Sequence, residues 1–107
     1  MNPKDKIGRT KPCMSFVPTP PLLELAEVMK LGSEEYGFYN WREDPVSTRC
    51  YLDAALRHLF AIMRGEDIDE SGFHHHAHVM ANMIILMDAK QQGTLIEDRP
   101  ASKDTTL

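Results

Sequence analysis

Apolar positions recur at spacings of three and four in three stretches of the chain, and polar residues fill the ground between them. The first stretch opens at Thr19 or Pro20, since proline suits the first turn of a helix. Leu22, Leu25, Ala26 and Met29, with Lys30 at their edge, give it one buried face. Gly32 interrupts it without ending it, Ser33 to Tyr36 adds a turn, and Gly37 closes it. The second is capped by Ser47 or Thr48 and runs to about Arg64. Leu52, Ala55, Leu56, Leu59, Ile62 and Met63 form its expected core stripe. Asp53, Arg57 and Arg64 fall on the other side, where Asp53 and Arg57 stand four apart and can pair. His58 sits on the border, and Gly65 ends the helix. The third, capped by Ser71 or Gly72, runs from about Phe73 to Gln91 and stops at Gly93. Val79, Met80, Met83, Ile84, Leu86 and Met87 cover its apolar arc, and a methionine-rich arc of this kind is core or dimer contact far more often than a cofactor site. No strand pattern and no internal repeat stands out. The expectation is an all-α fold, a small bundle of three main helices.

These helices divide the chain into an extended basic arm (1–18), a helical domain (19–92) and a polar tail (93–107). The arm carries Lys4, Lys6, Arg9 and Lys11 against Asp5, and Pro12, Pro18, Pro20 and Pro21 keep Cys13 to Thr19 extended. In 107 residues, three helices and long tails make a thin core, so completion by self-association into a homo-oligomer is expected. The formal charge of −4 argues against a basic surface for duplex nucleic acid but leaves room for a basic pocket that takes a phosphorylated small molecule. No signal peptide and no apolar run of ~18 residues stands out, so the expectation is a soluble, cytoplasmic protein with no membrane partner. Cys13 and Cys50 have unlike surroundings and no metal-ligand spacing.

The chemistry concentrates between Arg49 and Asn82. All five histidines lie there, beside Glu66, Asp67, Asp69 and Glu70. Carboxylates this crowded raise one another's pKa, and a divalent cation is a common remedy. Carboxylates alone favour Mg²⁺ or Mn²⁺, while added imidazoles shift the preference toward Mn²⁺, Zn²⁺ or other transition metals. His75, His78 and Asn82 share one edge of the third helix, and His58 can reach the same point from the second. The plainer reading is a solvated loop whose carboxylates favour a helix N-terminus, with His74 and His76 as bystanders. Arg49 and Arg57 offer planar forks suited to phosphate. Phe38 to Trp41 form an aromatic corner that either plugs the core or stacks on a flat ring, with Asn40 reading the ring's edge. There is no Gly-rich phosphate loop, no recognisable Ser or Cys nucleophile and no zinc-finger spacing.

Several motifs occur in order: Lys11-Pro12, Val17-Pro18, Gly32 with Tyr36-Gly37, Asn40-Trp41-Arg42, the run from Tyr51 to Leu59, Gly65-Glu66-Asp67-Ile68-Asp69, Ser71-Gly72, and His75 with Ala77-His78. Over Lys11 to Leu86 this resembles the dATP/dGTP diphosphohydrolase N-terminal domain of phages and bacteria, functionally related to the MazG-like all-α nucleotide pyrophosphohydrolases. It departs from that pattern in a shorter acidic loop, in Glu35 where lysine is frequent, and in retaining only Glu24 with Glu27 of the MazG-type acidic helix pattern. The resemblance implies metal-dependent hydrolysis of purine deoxynucleoside triphosphates, dATP or dGTP, to monophosphate and pyrophosphate. The metal is expected to be Mg²⁺ first, with Mn²⁺, Co²⁺ or Zn²⁺ behind it. The expected ligands are His58, Glu66, Asp67, Asp69, His75 and His78. Asp53, Arg57 and His58 are the expected catalytic residues, and Lys11, Asn40, Trp41 and Arg57 are expected to hold the substrate. The alternative is a non-catalytic helical module that binds nucleotides or a partner protein.

Overall fold

Proline and glycine punctuate the chain where the pattern expects. The computed structural model describes residues 1–102. In it α2 spans Thr19–Tyr36, with Pro20 and Pro21 in its first turn. It ends at Gly37, whose φ of 104° favours glycine. Helix α4, Thr48–Met63, is capped by the Ser47 hydroxyl, which accepts from the Cys50 amide. Helix α5, His75–Gln92, ends at Gly93 in the left-handed conformation. Two short helices complete the set: α1, Pro3–Gly8, and α3, Asn40–Glu43.

The fold is predominantly α-helical, as expected. The arm, however, is not extended throughout. The Asn2 side chain accepts from the Lys4 amide and Pro3 opens α1, so a capped N-terminus turns this polar stretch helical. A 3₁₀ turn follows at Met14–Phe16. Two strands also escape the periodicity: β1, Val46–Ser47, and β2, Leu95–Ile96, pair in parallel. Two residues are too few to show a period of two. Asp98 fastens this pair by accepting from the Ser47 hydroxyl and the Arg49 amide. Within the expected tail, residues 103–107 lie outside the described residues.

Helix α5 is the spine. It packs against α4 on one side and α2 on the other, and those two scarcely meet each other. Val28 of α2 is buried against Ala77 and Ala81 of α5, with Leu25, Met29 and Phe73 around them. Trp41, Val46 and Ala89 form a second small core with Tyr51, Ile85 and Leu95. On α4 the buried residues are Thr48, Ala55 and Ala61. Small residues here let the helix backbones approach closely, and the expected core stripe holds only in part: Ala55 is buried and Leu52 and Ile62 are half-buried. Leu56, Leu59 and Met63 are instead exposed. The radius of gyration is 17.1 Å, against about 13 Å for a closed globule of this length. No helix among the described residues is long and apolar enough to cross a membrane, and Cys13 and Cys50 are free thiols.

Candidate metal centre and adjoining cleft

The loop between α4 and α5 folds back on itself. Arg64, Gly65 and Glu66 donate their amides to the last carbonyls of α4, and Gly65 turns the chain at φ 87°. The Asp69 amide then reaches the Phe73 carbonyl, the His75 amide reaches the Asp67 carbonyl, and Ile68 bridges His74. This small hairpin sets the Asp69 carboxylate against the first turn of α5. Asp67 serves through its backbone, and its side chain stays exposed, as does that of Glu70.

Three side chains converge there. His58 Nδ1 lies 2.8 Å from His75 Nδ1. Asp69 Oδ1 is 3.6 Å from His75 Nδ1 and 3.9 Å from His58 Nδ1. All three donor atoms fall within 4.8 Å of one another, and His75 is buried. Two imidazole nitrogens this close require either one proton shared between them or two lone pairs aimed at a cation. Neighbouring ligands of one divalent ion sit roughly 3 Å apart when each bond is ~2.1 Å, so the donor set fits a metal. His75 Nε2 is buried without a hydrogen-bond partner. The Glu66 carboxylate stands 3.8 Å from it, on the side where a ligating histidine usually meets a carboxylate.

His78 belongs to the cluster in another way. Its ring stacks on His58 at 4.7 Å and 8°. Its Nε2 is 2.8 Å from Ser71 Oγ and 3.3 Å from Asp69 Oδ2. Burial, with His78 alongside, holds the His58 pKa below its usual value. Burial alone raises the Asp69 carboxyl, but the amide and hydroxyl of Ser71 and the charges of His78 and His58 outweigh it, and the pKa is lowered. Asp69 is therefore an anion at neutral pH.

A cleft of about 420 Å³ opens beside this cluster between α2, α4 and α5. Ser71, His78, Asn82, Tyr36, Asn40 and Tyr51 are among the residues that line it. Its size suits a nucleotide-sized ligand. Trp41 also contributes to the lining. The residue is 7% exposed, and its Nε1 donates to Asp88 at 2.7 Å. Arg42 grips the same carboxylate with two nitrogens at 2.8 Å and lies over the Tyr39 ring. These bonds pull Asp88 down to about 2. Trp41 is thus a plug rather than an open stacking wall.

Of the other expected residues, Asp53 and Arg57 are exposed on α4 and form no ion pair with each other. Lys11 is exposed on the arm, away from the cleft lining. Ser71, Tyr36 and Tyr51, expected only as a cap or as motif positions, line the cleft, and Asp88 has no local signal at all. Sequence reasoning set His74 aside, although Glu24 takes both the His74 amide and Nδ1 at 2.8–3.0 Å and so anchors the start of α5. The only local signal was Glu24 itself, noted as a weak acidic motif.

Comparison with known proteins bears on what this site serves. The family described as "dATP/dGTP diphosphohydrolase, N-terminal" matches residues 1–99. A protein of Salmonella phage PMBT28 named dATP/dGTP diphosphohydrolase is 32% identical over 82 residues, 76% of this chain. The chain spans 26% of that relative's length. No solved structure matches. The match across nearly the whole chain, motifs and histidine cluster included, places this protein in the dATP/dGTP diphosphohydrolase N-terminal family.

Proposed function

We propose that this domain takes part in metal-dependent hydrolysis of a purine deoxynucleoside triphosphate, releasing the monophosphate and pyrophosphate. The observation that carries the reading is the convergence of His58, Asp69 and His75 beside a nucleotide-sized cleft. The name of the phage relative supports the substrate class and the reaction. Two imidazoles with a single carboxylate favour Mn²⁺, Co²⁺ or Zn²⁺ over the Mg²⁺ expected first. A divalent ion held by these three residues would neutralise phosphate charge and acidify water.

The chain's own groups divide the remaining work. Asp69 supplies the negative charge, and Ser71 keeps it ionised and oriented. His78, steadied by Ser71 and by stacking on His58, faces the cleft and orients a phosphate oxygen there. Tyr36, Tyr51 and Asn40 receive the nucleoside. Arg57, exposed on α4, is available to phosphate as an unpaired fork.

The test is turnover of the purified protein, stripped of metal and then reloaded, compared with His58→Gln and His75→Gln. Loss of at least ~100-fold in both is expected. Full turnover in both variants refutes the assignment. Stoichiometric nucleotide binding with no product under any metal points to the non-catalytic module instead.

A further inference from the structure

The three long helices form an open layer, and the two faces of that layer differ. The cleft lies on one face, lined by Val28, Gly32 and Glu35 of α2, Tyr51 and Ala54 of α4, and His78, Asn82 and Ile85 of α5. At 100° per residue, the opposite side of each helix carries Leu22 and Leu23, then Leu56, Leu59 and Met63, then Met80, Ile84 and Met87. All eight are apolar, and all are between 36% and 82% exposed. A groove of about 680 Å³ runs along the α2 part of this face, lined by Leu22, Leu23, Ala26, Met29 and Ile84 among others. On the α4 part, Leu56, Leu59 and Met63 stand exposed.

We infer that this back face is the interface of a homodimer, in which two copies pack back to back and leave both clefts open. The inference stands independently of the reaction. The first argument is area. These eight residues leave on the order of 800 Å² in water per copy, which is what one partner contributes to a standard interface and more than a monomer ordinarily exposes in one patch. The second is shape. The exposed α4 side chains and the α2 groove lie on the same face, so a two-fold axis along α5 sets Leu56, Leu59 and Met63 of each copy over the α2 groove of the other. This is the self-complementarity an isologous contact requires. The third is compactness. The core within one copy consists largely of alanines with Val28, Trp41 and Val46, and the chain is more open than a closed globule of its length. A second layer of helices would bury the large side chains that the first leaves outside.

Sedimentation equilibrium of the full chain at ~10–100 µM tests this, alongside a Leu59→Lys/Met63→Lys double variant. The wild type is expected at twice the 12.2 kDa chain mass. The variant is expected at the single-chain mass with its helical circular dichroism retained, because both positions face solvent in one copy. If the variant unfolds instead, the wild-type melting temperature decides the matter. It rises with protein concentration for a dimer and stays fixed for a monomer. A wild-type monomer at 100 µM overturns the inference, as does a folded double variant that keeps the dimer mass. A monomer would assign the face to another protein or to further chain, such as the longer phage relative carries.

Discussion

Asp69→Asn separates the metal centre from the fold more cleanly than any other single change. In the native loop, Asp69 Oδ2 accepts the Ser71 amide, and Oδ1 points at the two histidine nitrogens. Asparagine is the same size. Its carbonyl oxygen can keep the Ser71 bond, which leaves its NH₂ aimed at His58 and His75, where a lone pair can accept from it. The metal-free protein therefore loses little, and its melting temperature is expected to stay within about 3 °C of wild type, the range of a sub-kcal/mol change. Metal affinity behaves differently. The only carboxylate among the three converging donors is gone, and a donor N–H stands where an anion was. Loss of partners outside the ligand shell costs 10–100-fold in affinity, so loss of an anionic ligand is expected to cost at least ~100-fold, or about 2.7 kcal/mol at 1.36 kcal/mol per decade. Titration calorimetry with Mn²⁺, Co²⁺ and Zn²⁺ on the metal-stripped proteins measures the ratio directly. Affinity within threefold of wild type for all three ions refutes the reasoning and returns the cluster to a histidine pair with a neighbouring carboxylate.

Other consequences follow from the same contacts. His58 has a lowered pKa in the folded state. Between that value and its ordinary 6.5 the unfolded chain binds more protons, so stability is full above pH 6.5 and falls as the pH drops below it. Melting temperatures of metal-free protein between pH 7.5 and 5.5 are expected to decline, and His58→Gln to flatten the decline. A slope that His58→Gln leaves unchanged assigns it to other groups. Asp88→Asn keeps an acceptor for Trp41 but breaks the Arg42 fork, and is expected to lower the melting temperature by about 3–5 °C with the metal affinity unchanged. Tyr51→Ala removes a ring from the cleft proposed to receive the nucleoside, and is expected to raise KM about tenfold with kcat held within a factor of about two. An unchanged KM would place the base elsewhere.

How much of this could be read from sequence differed from element to element, for physical reasons. Helix α2 was legible end to end because its boundaries are local: paired prolines at the start and a glycine at the end. The same holds for the Ser47 cap of α4. The start of α5 was misplaced by two residues because Glu24, fifty positions away, holds His74 as the cap. Trp41 was recognised as a corner residue, but its partner Asp88 lies 47 positions on. The paired strands are held by Asp98, for which no periodicity speaks. On α4 the spacing of Leu56, Leu59 and Met63 pointed to a core, yet alanines face α5. Hydrophobic spacing marks a face that seeks burial and does not say against what. In the centre, His58 and His75 were legible as a pair across two helices. The choice of Asp69 over Asp67 was not, because the hairpin that turns one carboxylate inward and spends the other's backbone is set by hydrogen bonds to Phe73 and His75.

Product identity tests the central claim most directly. Metal-stripped protein, reloaded separately with Mn²⁺, Co²⁺, Zn²⁺ or Mg²⁺, is incubated with each common deoxynucleoside and ribonucleoside triphosphate, and the products are resolved by anion exchange. The account predicts dAMP or dGMP with an equal amount of pyrophosphate, formed only when metal is restored and faster with a transition metal than with Mg²⁺. Tripolyphosphate or single phosphates as product would contradict the reaction assigned here. Equal turnover in the metal-free protein would contradict the role given to His58, Asp69 and His75.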